Sequence, residues 1–367
     1  TNTWHRVGDG NGVNNQVSAL AVDGQGNIYV GGSFTQVGNI RANRVARFNT
    51  ATNTWSVLGT ESNNGVSGNL NNTYVRALAV LGSDLYVGGQ FLSAGGVTAN
   101  NIARFNLTTN TWSALTGNGV YGTGLAFVSA LASIGNDLYV GGQFNNPGNN
   151  VVRYNTVTNT WSILGTGAQN GVNNEVRALA IDGSGRVYVG GWFTQAGGVS
   201  ANRVARFDPA TNSWSALGSG VDGDVNALVV DGQGNVYVGG SFSKAGGIDA
   251  LKVARFDPVT NTWSRLGTGN IYGIGVGVVS ALAVFGSEVY VGGSFYTVGN
   301  VTMNQIARFN PATNTWSAVG TGAGNGVGGV TNPVVSVLAV IGNDLYIGGF
   351  FTEVNNGTSP IVSRYIA

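Results

Sequence analysis

The apolar residues of this chain fall in short runs that are separated by glycine, asparagine, aspartate and threonine. The first four runs are named here A (Gln16–Val22), B (Asn27–Phe34), C (Arg44–Asn49) and D (Thr54–Leu58). Each is rich in valine, isoleucine, aromatic residues and threonine, which is the composition of β-strands. No segment sustains an apolar period of about 3.6 residues, so the pattern predicts a chain with almost no helix.

The four runs repeat along the chain. Each copy is marked by an Asn-Thr-Trp or Asn-Ser-Trp tripeptide on D, a Gly-Gly pair on B and an arginine on C. The tryptophans are Trp4, Trp55, Trp112, Trp161, Trp214, Trp263 and Trp316. The glycine pairs begin at Gly31, Gly88, Gly141, Gly190, Gly239, Gly292 and Gly348. The arginines are Arg47, Arg104, Arg153, Arg206, Arg255, Arg308 and Arg364. Seven copies in 367 residues give about 52 residues for each copy.

Four antiparallel strands in a repeated unit of this length are typical of a β-propeller. The two ends complete each other, because Thr3-Trp4 is a D strand without A, B and C, and Ile361–Ile366 is a C strand without D. The sequence therefore predicts an all-β fold, a single seven-bladed propeller domain over residues 1–367 with four antiparallel strands in each blade. The N-terminal D strand joins the C-terminal A, B and C strands and closes the ring without an open sheet edge.

Three stretches of one copy, Leu85–Gly89, Arg104–Asn106 and Asn110–Trp112, together resemble a kelch repeat. Asp23–Val30 is also similar to the repeats of bacterial secreted propellers. The resemblance covers all seven copies and implies a propeller, but propellers host many unrelated activities. The central domain of galactose oxidases resembles such blades too. Their copper site needs a cysteine, and this chain has 0 cysteines.

Composition removes several classes of function. With 0 cysteines and 1 histidine, the chain has no disulfide, thiolate or multi-histidine metal site. A net charge of +1 gives no electrostatic basis for binding nucleic acid or an anionic membrane. The most apolar stretch, Ile271–Gly286, is too short for a membrane helix. We therefore expect no cofactor, no metal, no nucleic-acid partner and no membrane insertion.

Residues that recur in every copy are interpreted as structural, so the unrepeated ones are the candidates for function. The unrepeated aromatic residues are Tyr74, Tyr121, Phe127, Trp192, Tyr272, Phe285, Tyr296 and Phe350. The unrepeated acids are Asp9, Glu61, Glu175, Asp222, Asp224, Asp249 and Glu353, all in D–A or B–C connections. These two connections emerge on the same face of a four-stranded blade. Long, variable loops on a rigid scaffold are where binding sites usually lie.

One sector of that face combines an aromatic platform with polar groups. Its residues are Trp192, Glu175 and Arg177 in the fourth copy and Asp222, Asp224, Asn226, Lys244 and Asp249 in the fifth. An indole beside charged and amide side chains suits a sugar or peptide ligand. In the alternative interpretation, Trp192 fills a gap between blades and the charges only solvate loops. Calcium binding by the Asp222-Gly223-Asp224 segment also remains an alternative.

These observations favour a non-catalytic extracellular binding or adhesion module that recognises carbohydrate or protein through its D–A and B–C connections. A surface of asparagine, threonine, serine and glycine fits a secreted or cell-surface bacterial protein. Because the chain begins with Thr1 instead of methionine, we expect a processed product or part of a larger chain or assembly. Two alternatives remain: a structural, self-assembling or engineered scaffold, and a glycosidase-like enzyme with Glu175 and Asp224 as paired carboxylates.

Overall fold

The computed structural model describes residues 3–8, 12–68, 72–299, 301–320, 325–355 and 360–367, so Asp9 lies outside the described residues. In this part the chain is all-β, with six four-stranded antiparallel sheets and a last sheet built on one further strand pair. The helical segments there are two 3-10 turns, Thr116–Asn118 and Gly167–Gln169. The predicted all-β character and near absence of helix are confirmed.

Each four-stranded sheet runs in the order A, B, C, D. The A strands are Val17–Val22, Tyr74–Leu81, Phe127–Ile134, Val176–Ile181, Val225–Val230, Val279–Phe285 and Val334–Ile341. The B strands are Asn27–Gly32, Asp84–Gln90, Asp137–Gln143, Val187–Gly191, Val236–Gly240, Glu288–Gly293 and Asp344–Phe350. The C strands are Val45–Asn49, Ile102–Asn106, Val151–Asn155, Val204–Asp208, Val253–Asp257 and Ile306–Asn310. The D strands are Thr54–Val57, Thr111–Ala114, Thr160–Ile163, Ser213–Ala216, Thr262–Arg265 and Thr315–Ala318.

Short hairpins extend most of the B–C connections. Their strand pairs are Gln36–Val37 with Ile40–Arg41, Ser93–Ala94 with Val97–Thr98, Gln195–Ala196 with Val199–Ser200, Lys244–Ala245 with Ile248–Asp249, Thr297–Val298 with Val301–Thr302, and Glu353–Asn355 with Pro360–Val362. In the D–A connections, Val66–Ser67 and Gly326–Gly328 each join one of these hairpins, and Gly267–Thr268 pairs with Ile271–Tyr272. Single bridges, such as Val13 with Val37, link D–A to B–C elsewhere. The two kinds of connection therefore lie together on one face, as predicted.

The A strands form the innermost layer. Each contacts the A strands of the neighbouring sheets, and Val334–Ile341 contacts Val17–Val22, so the contacts close into a ring around a central channel. The channel encloses a cavity of about 200 Å³. One residue in every A strand is bulged out of its ladder with B. The bulged residues are Ser18, Arg76, Ser129, Arg177, Asn226, Ser280 and Ser336, and all of them line the channel.

The two glycines of each Gly-Gly pair are required for different contacts. A Cβ atom on the first glycine, Gly190, would overlap the Val225 side chain of the next sheet's A strand. A Cβ atom on the second, Gly191, would overlap the Glu175 carbonyl oxygen in its own sheet. The first contact recurs in Gly31–Val75, Gly88–Val128, Gly141–Val176, Gly239–Val279, Gly292–Val335 and Gly348–Val17. Valine and glycine therefore interlock neighbouring sheets, including the last sheet with the first.

The repeated aromatic residues fill layers within and between the sheets. The ring centroids of Phe105 on C and Trp112 on D are 5.0 Å apart. The Trp112 indole donates a 2.9 Å hydrogen bond to the Leu58 carbonyl oxygen of the preceding sheet. Five of the seven B-strand tyrosines are fully buried, and burial raises the pKa of two of them, Tyr86 and Tyr237, to about 12. These contacts confirm that the repeated rings are structural.

The repeated charged residues also have partners inside the scaffold. The Arg47 side chain donates to the Ser56 hydroxyl at 3.0 Å, and Arg308 lies 3.2 Å from Glu288. In the first A–B turn, the Asp23 carboxylate accepts hydrogen bonds from two backbone N–H groups at 2.9 and 3.0 Å. Arginine on C and acid in the A–B turn are therefore structural residues, as their repetition indicated.

The prediction that Ile361–Ile366 forms the final C strand is wrong in its register. Pro360–Val362 belongs to a B–C hairpin instead. The first C-strand residue is Ile366, which bridges to Gly348. Ala367 follows and exchanges backbone hydrogen bonds of 2.8 and 3.0 Å with the B strand. The last sheet therefore has A and B strands in full and two residues of C.

Arg364 and Tyr365 are consequently not the repeated arginine and aromatic residue of C. Tyr365 has a positive φ of 67°, like Lys252 (φ 71°) and Gln305 (φ 69°), which stand immediately before C strands. The Arg-Tyr pair resembles the Arg-Phe pair of other copies, and this likeness explains why the sequence pattern predicts the wrong register for the last C strand.

The N-terminal segment lies beside the last sheet. Trp4 is buried in one cluster with Ala367. A Cβ atom on Gly320 would meet the Trp4 indole nitrogen at 2.9 Å, and one on Gly267 would meet the Trp316 nitrogen at 3.0 Å. Trp4 thus occupies the place of a D-strand tryptophan, although residues 3–6 form no regular strand.

Candidate functional site

Two rings of side chains surround the channel mouth on the face of the D–A and B–C connections. The outer ring consists of the residue two positions before each bulged one: Gln16, Tyr74, Phe127, Glu175, Asp224, Val278 and Val334. The inner ring consists of the bulged residues. Because the repeat fixes the backbone at both positions, side-chain identity alone distinguishes one sector from another. Acids occur in the outer ring only in the fourth and fifth sheets.

Arg177 forms hydrogen bonds with three polar side chains of that sector. Its guanidinium donates to Glu175 at 3.1 Å, and to Asp224 at 3.2 Å and Asn226 at 3.1 Å beside the next A strand. Burial lowers the pKa of Arg177, but the hydrogen bonds and charges of Glu175 and Asp224 outweigh burial and leave it raised. The Asn226 amide donates onward to the Val279 carbonyl oxygen at 3.2 Å. We call Glu175, Arg177, Asp224 and Asn226 the Arg177 network; it brings together four of the predicted site residues.

Trp192 stands next to this network. It follows the B strand that ends at Gly191, and its backbone N–H donates to the Glu175 carbonyl oxygen at 2.8 Å. The equivalent residues of the second sheet, Gln90 and Tyr74, are a cross-strand pair. The indole and the Glu175 side chain therefore project from the same side of the sheet. The indole is 49% exposed, which argues against the alternative in which it fills a gap between blades.

The other three predicted residues lie at the hairpin of the fifth sheet, outside the Arg177 network. The Asp222 carboxylate accepts two backbone N–H groups of this hairpin, both at 2.8 Å. Asn14 and Asn173 hold the hairpins of the first and fourth copies in the same way, so Asp222 occupies a structural position. Lys244 and Asp249 pair with each other at 3.4 Å across the hairpin, and both are more than half exposed.

Arg76 is a second cation at the channel mouth, and the predicted site did not include it. Its guanidinium carbon lies 4.4 Å from the ring centroid of Tyr74 and 5.2 Å from that of Phe127. Burial raises the pKa of Tyr74, while the Arg76 charge lowers it and the Glu175 charge raises it. A signal was available in the sequence, because arginine occupies only two of the bulged positions, at Arg76 and Arg177.

The described residues contain no group of three or more histidine, cysteine, aspartate or glutamate side chains that is arranged to hold a metal ion. Within the same ranges, no helix is long and apolar enough to cross a membrane. The single histidine, His5, is exposed, and its ring lies 3.3 Å from the Thr3 hydroxyl.

Comparison with protein families identifies the repeat. The family model described as the KLHDC2/KLHL20/DRC7 Kelch-repeats domain matches residues 20–225 and 75–270, which is more than half of the chain. The chain belongs to the Kelch-repeat β-propellers. A second model, the β-propeller domain of unknown function DUF5122, matches residues 288–312 of this Kelch-repeat chain. The kelch resemblance predicted from the Gly-Gly and tryptophan spacing is therefore confirmed.

Solved structures with similar folds cover nearly all of the Kelch-repeat chain. Two are extracellular domains of the one-component and hybrid two-component system BT4673 from B. thetaiotaomicron. Each is 15% identical; the matches cover 94% and 95% of this chain at TM-scores of 0.58 and 0.62. The chain spans only 38% of the length of either domain. A third is YCF48 bound to D1 peptide, at 12% identity and a TM-score of 0.56, covering 96% of this chain and 92% of that one. A comparison with curated proteins finds no significant match.

Proposed function

We propose that the Kelch-repeat ring has seven blades and that the N-terminal segment completes the last of them. The contact of Gly348 with Val17 supports this closure, because the same valine–glycine contact joins every other pair of neighbouring sheets. The position of Trp4 against Gly320 supports it too, since Trp316 stands against Gly267 in the same way. In this arrangement the C-terminal A, B and C strands meet the N-terminal segment at the place of D.

We propose further that the chain is a non-catalytic extracellular module that binds carbohydrate or protein through the face of its D–A and B–C connections. Carbohydrate is the ligand that the site favours. One observation carries this proposal: the exposed Trp192 indole stands beside the Arg177 network at the channel mouth. An indole offers a flat apolar surface to a sugar ring, and charged and amide groups beside it bind hydroxyl groups.

The Arg177 network has hydrogen-bonding capacity left for a ligand. Among the described residues, the Glu175 side chain accepts a hydrogen bond only from Arg177. A carboxylate has about four acceptor positions, so Glu175 and Asp224 can each accept hydrogen bonds from sugar hydroxyl groups. The network is half-buried and held by contacts between adjacent A strands, which reduces the side-chain entropy lost on binding.

The same contacts support binding rather than glycoside hydrolysis. Glu175 and Asp224 are both bonded to the one guanidinium of Arg177. A glycosidase instead needs one carboxyl group that donates a proton to the leaving oxygen and a second that acts as base or nucleophile. The engagement of both carboxylates by one arginine favours a recognition surface over an acid–base pair.

An extracellular or cell-surface location in a bacterium agrees with two observations. The BT4673 domains that share the fold are extracellular domains of a bacterial protein. Charged residues make up 9% of this chain, and its loops are dominated by asparagine, threonine, serine and glycine. Because the chain spans 38% of those domains, we also propose that it serves within a larger chain or assembly.

The experiment is a screen of the purified protein on a glycan array, followed by calorimetry with each glycan that binds. We expect Trp192→Ser to weaken binding by a factor of about ten or more, because hot-spot aromatic residues dominate binding energy. Three other sheets already have serine at the equivalent position, namely Ser33, Ser241 and Ser294. The thermal unfolding midpoint should therefore stay unchanged.

The matched control is Phe350→Ser, which removes the exposed aromatic residue from the equivalent position of the last sheet. It should leave the affinity intact. Binding that survives both Trp192→Ser and Arg177→Ser would place the site elsewhere and overturn the proposal. Peptides selected from a display library test the protein ligand with the same variants. Hydrolysis of a bound glycan that stops in Glu175→Gln or Asp224→Asn would show an enzyme instead.

A further inference from the structure

The two arginines at the channel mouth differ in how their donors are used. Arg177 donates to three side chains of the Arg177 network. Among the residues that the structure describes, the Arg76 guanidinium forms two aromatic contacts and neither a hydrogen bond nor an ion pair. A guanidinium carries several N–H donors, and those of Arg76 are free to bind a ligand.

The two aromatic rings beside Arg76 determine where its donors point. The guanidinium carbon lies over the Tyr74 ring, 4.4 Å from its centroid, and 5.2 Å from the centroid of Phe127. Rings at these distances hold the planar cation by cation–π attraction. The N–H donors lie in the plane of the guanidinium, so a ring over its face leaves its edge open. That edge matches the two oxygens of a carboxylate.

The positive charge of Arg76 has no carboxylate partner at the mouth. The outer-ring acids Glu175 and Asp224 are both bonded to Arg177, and Asp224 also lies 4.0 Å from Arg203. Arg76 is exposed to solvent and pairs with no acid in the described part of the chain. An anionic group of a ligand would therefore meet a cation that no side chain already neutralises.

A second group without a partner lies in the channel wall next to Arg76. Ser129 is the bulged residue of the third A strand, which contacts the A strand of Arg76. Its hydroxyl oxygen is buried and has no hydrogen-bond partner among the described residues. Both residues line the channel cavity of about 200 Å³. Because buried hydroxyl groups are normally hydrogen-bonded, Ser129 can donate to an acceptor that enters the channel.

The side chains of the outer ring change in character from one sheet to the next. Tyr74 and Phe127 are aromatic in the second and third sheets, and acids follow in the fourth and fifth. Trp192 stands beside the first of these acids, Glu175. A ligand that is seated on the indole and extends over the mouth therefore meets Phe127 and Arg76 next.

We propose that Arg76 and the Ser129 hydroxyl bind the carboxylate of an acidic sugar, so that the carbohydrate ligand contains a uronic acid. This inference rests on the proposed function, because it names the class of carbohydrate that the channel mouth recognises. The carboxylate accepts two N–H hydrogen bonds from the edge of the Arg76 guanidinium, a geometry that gives both strength and specificity. Neutral hydroxyl groups of the same ligand bind Glu175 and Asp224.

The probes are trisaccharides of galacturonic, glucuronic and mannuronic acid, each beside its methyl ester. Acid and ester have the same sugar rings and differ in charge, so the comparison isolates the carboxylate. Each probe is titrated into the purified protein by calorimetry. We expect at least one acid to bind to a single site, and to bind more tightly than its ester by a factor of about ten or more.

Two protein variants test whether Arg76 is the partner of the carboxylate. Arg76→Ser should weaken binding of the acid by a factor of about ten to a hundred and leave binding of the ester unchanged. The thermal unfolding midpoint should stay unchanged, because four other sheets have serine at this position. The matched control is Arg265→Ser, which removes an equal charge from an arginine that lies 4.5 Å from the Tyr272 ring on a D strand. It should leave the affinity for acid and ester intact.

Several results would overturn this inference. They are equal affinity for every acid and its ester, no binding of any acid up to about 1 mM, and equal losses in Arg76→Ser and Arg265→Ser. Tighter binding of sulfated trisaccharides than of the uronic acids would assign Arg76 to sulfate and would also overturn it. The proposed function fails separately: neutral glycans whose binding requires Trp192 would uphold that function and refute the uronic acid.

Discussion

Alanine substitutions at the glycine pair of the fourth sheet test how neighbouring sheets interlock. Gly190→Ala places a methyl group against the Val225 and Leu228 side chains of the next sheet. Those side chains can shift slightly, so the cost is that of overpacking a core, about 1–3 kcal/mol of unfolding free energy. Gly191→Ala places its methyl group against the Glu175 carbonyl oxygen. The Glu175 carbonyl group cannot rotate away without breaking hydrogen bonds between the A and B strands. We therefore expect the free energy of unfolding to fall by at least about 3 kcal/mol.

The matched control is Gly183→Ala in the A–B turn of the same sheet. A Cβ atom on Gly183 meets nothing within 4 Å, and its φ is not positive. This substitution should leave stability unchanged or raise it by up to about 1 kcal/mol, because alanine restricts the unfolded chain. The assay is urea unfolding monitored by tryptophan fluorescence, and the free energies of unfolding of the three variants are compared.

A double-mutant cycle identifies the contact itself. Val225→Ala removes the methyl groups that Gly190→Ala would strike, so the double variant should be more stable than the two single losses imply, by about 1 kcal/mol. Strict additivity of Gly190→Ala and Val225→Ala would refute the interlock. So would a Gly191→Ala protein as stable as the Gly183→Ala control.

Two further predictions concern the aromatic layers. The pKa of Tyr86 and of Tyr237 is raised by burial from 10.0 to about 12, so the stability that the neutral phenols provide is complete below pH 10 and lost as pH rises towards 12. Unfolding midpoints measured across that range should fall, and less steeply in a Tyr86→Phe and Tyr237→Phe protein; equal slopes would contradict the assignment. Trp112→Phe removes the donor to the Leu58 carbonyl oxygen and should cost about 1–3 kcal/mol by urea unfolding, whereas an unchanged midpoint would show that this bond contributes nothing.

The repeated positions made most of the fold predictable. Gly-Gly on B and tryptophan on D recur because each makes the same contact in successive sheets, so their spacing alone indicates strands, order and faces. Register at the C-terminal end was not predictable in that way. Arg364-Tyr365 has the residue types of a C strand, and only the backbone pairing of Ile366 with Gly348 shows that it lies before that strand.

The candidate site was predictable only in part. Subtracting repeated residues selects Glu175, Arg177, Asp224 and Trp192, and the structure places these four in one sector, because the repeat fixes which positions face the channel mouth. The bonds of Arg177 to the next A strand depend on the lateral distance between sheets, which no sequence pattern contains. The acid at Asp222 is unrepeated but its position is repeated, since asparagine makes the same backbone contacts in other copies and the change of residue type conceals the equivalence.

The bulge in each A strand has a consequence for how such a channel can change. A bulged residue has no partner in the ladder, so its side chain can be replaced without altering the pairing of the sheet. The chain already carries serine, asparagine and arginine at these positions on one backbone. The charge of the channel can therefore be altered one substitution at a time. Acidic residues or histidines introduced at these positions by design would line the channel with carboxylates or imidazoles and leave the strand pairing unchanged.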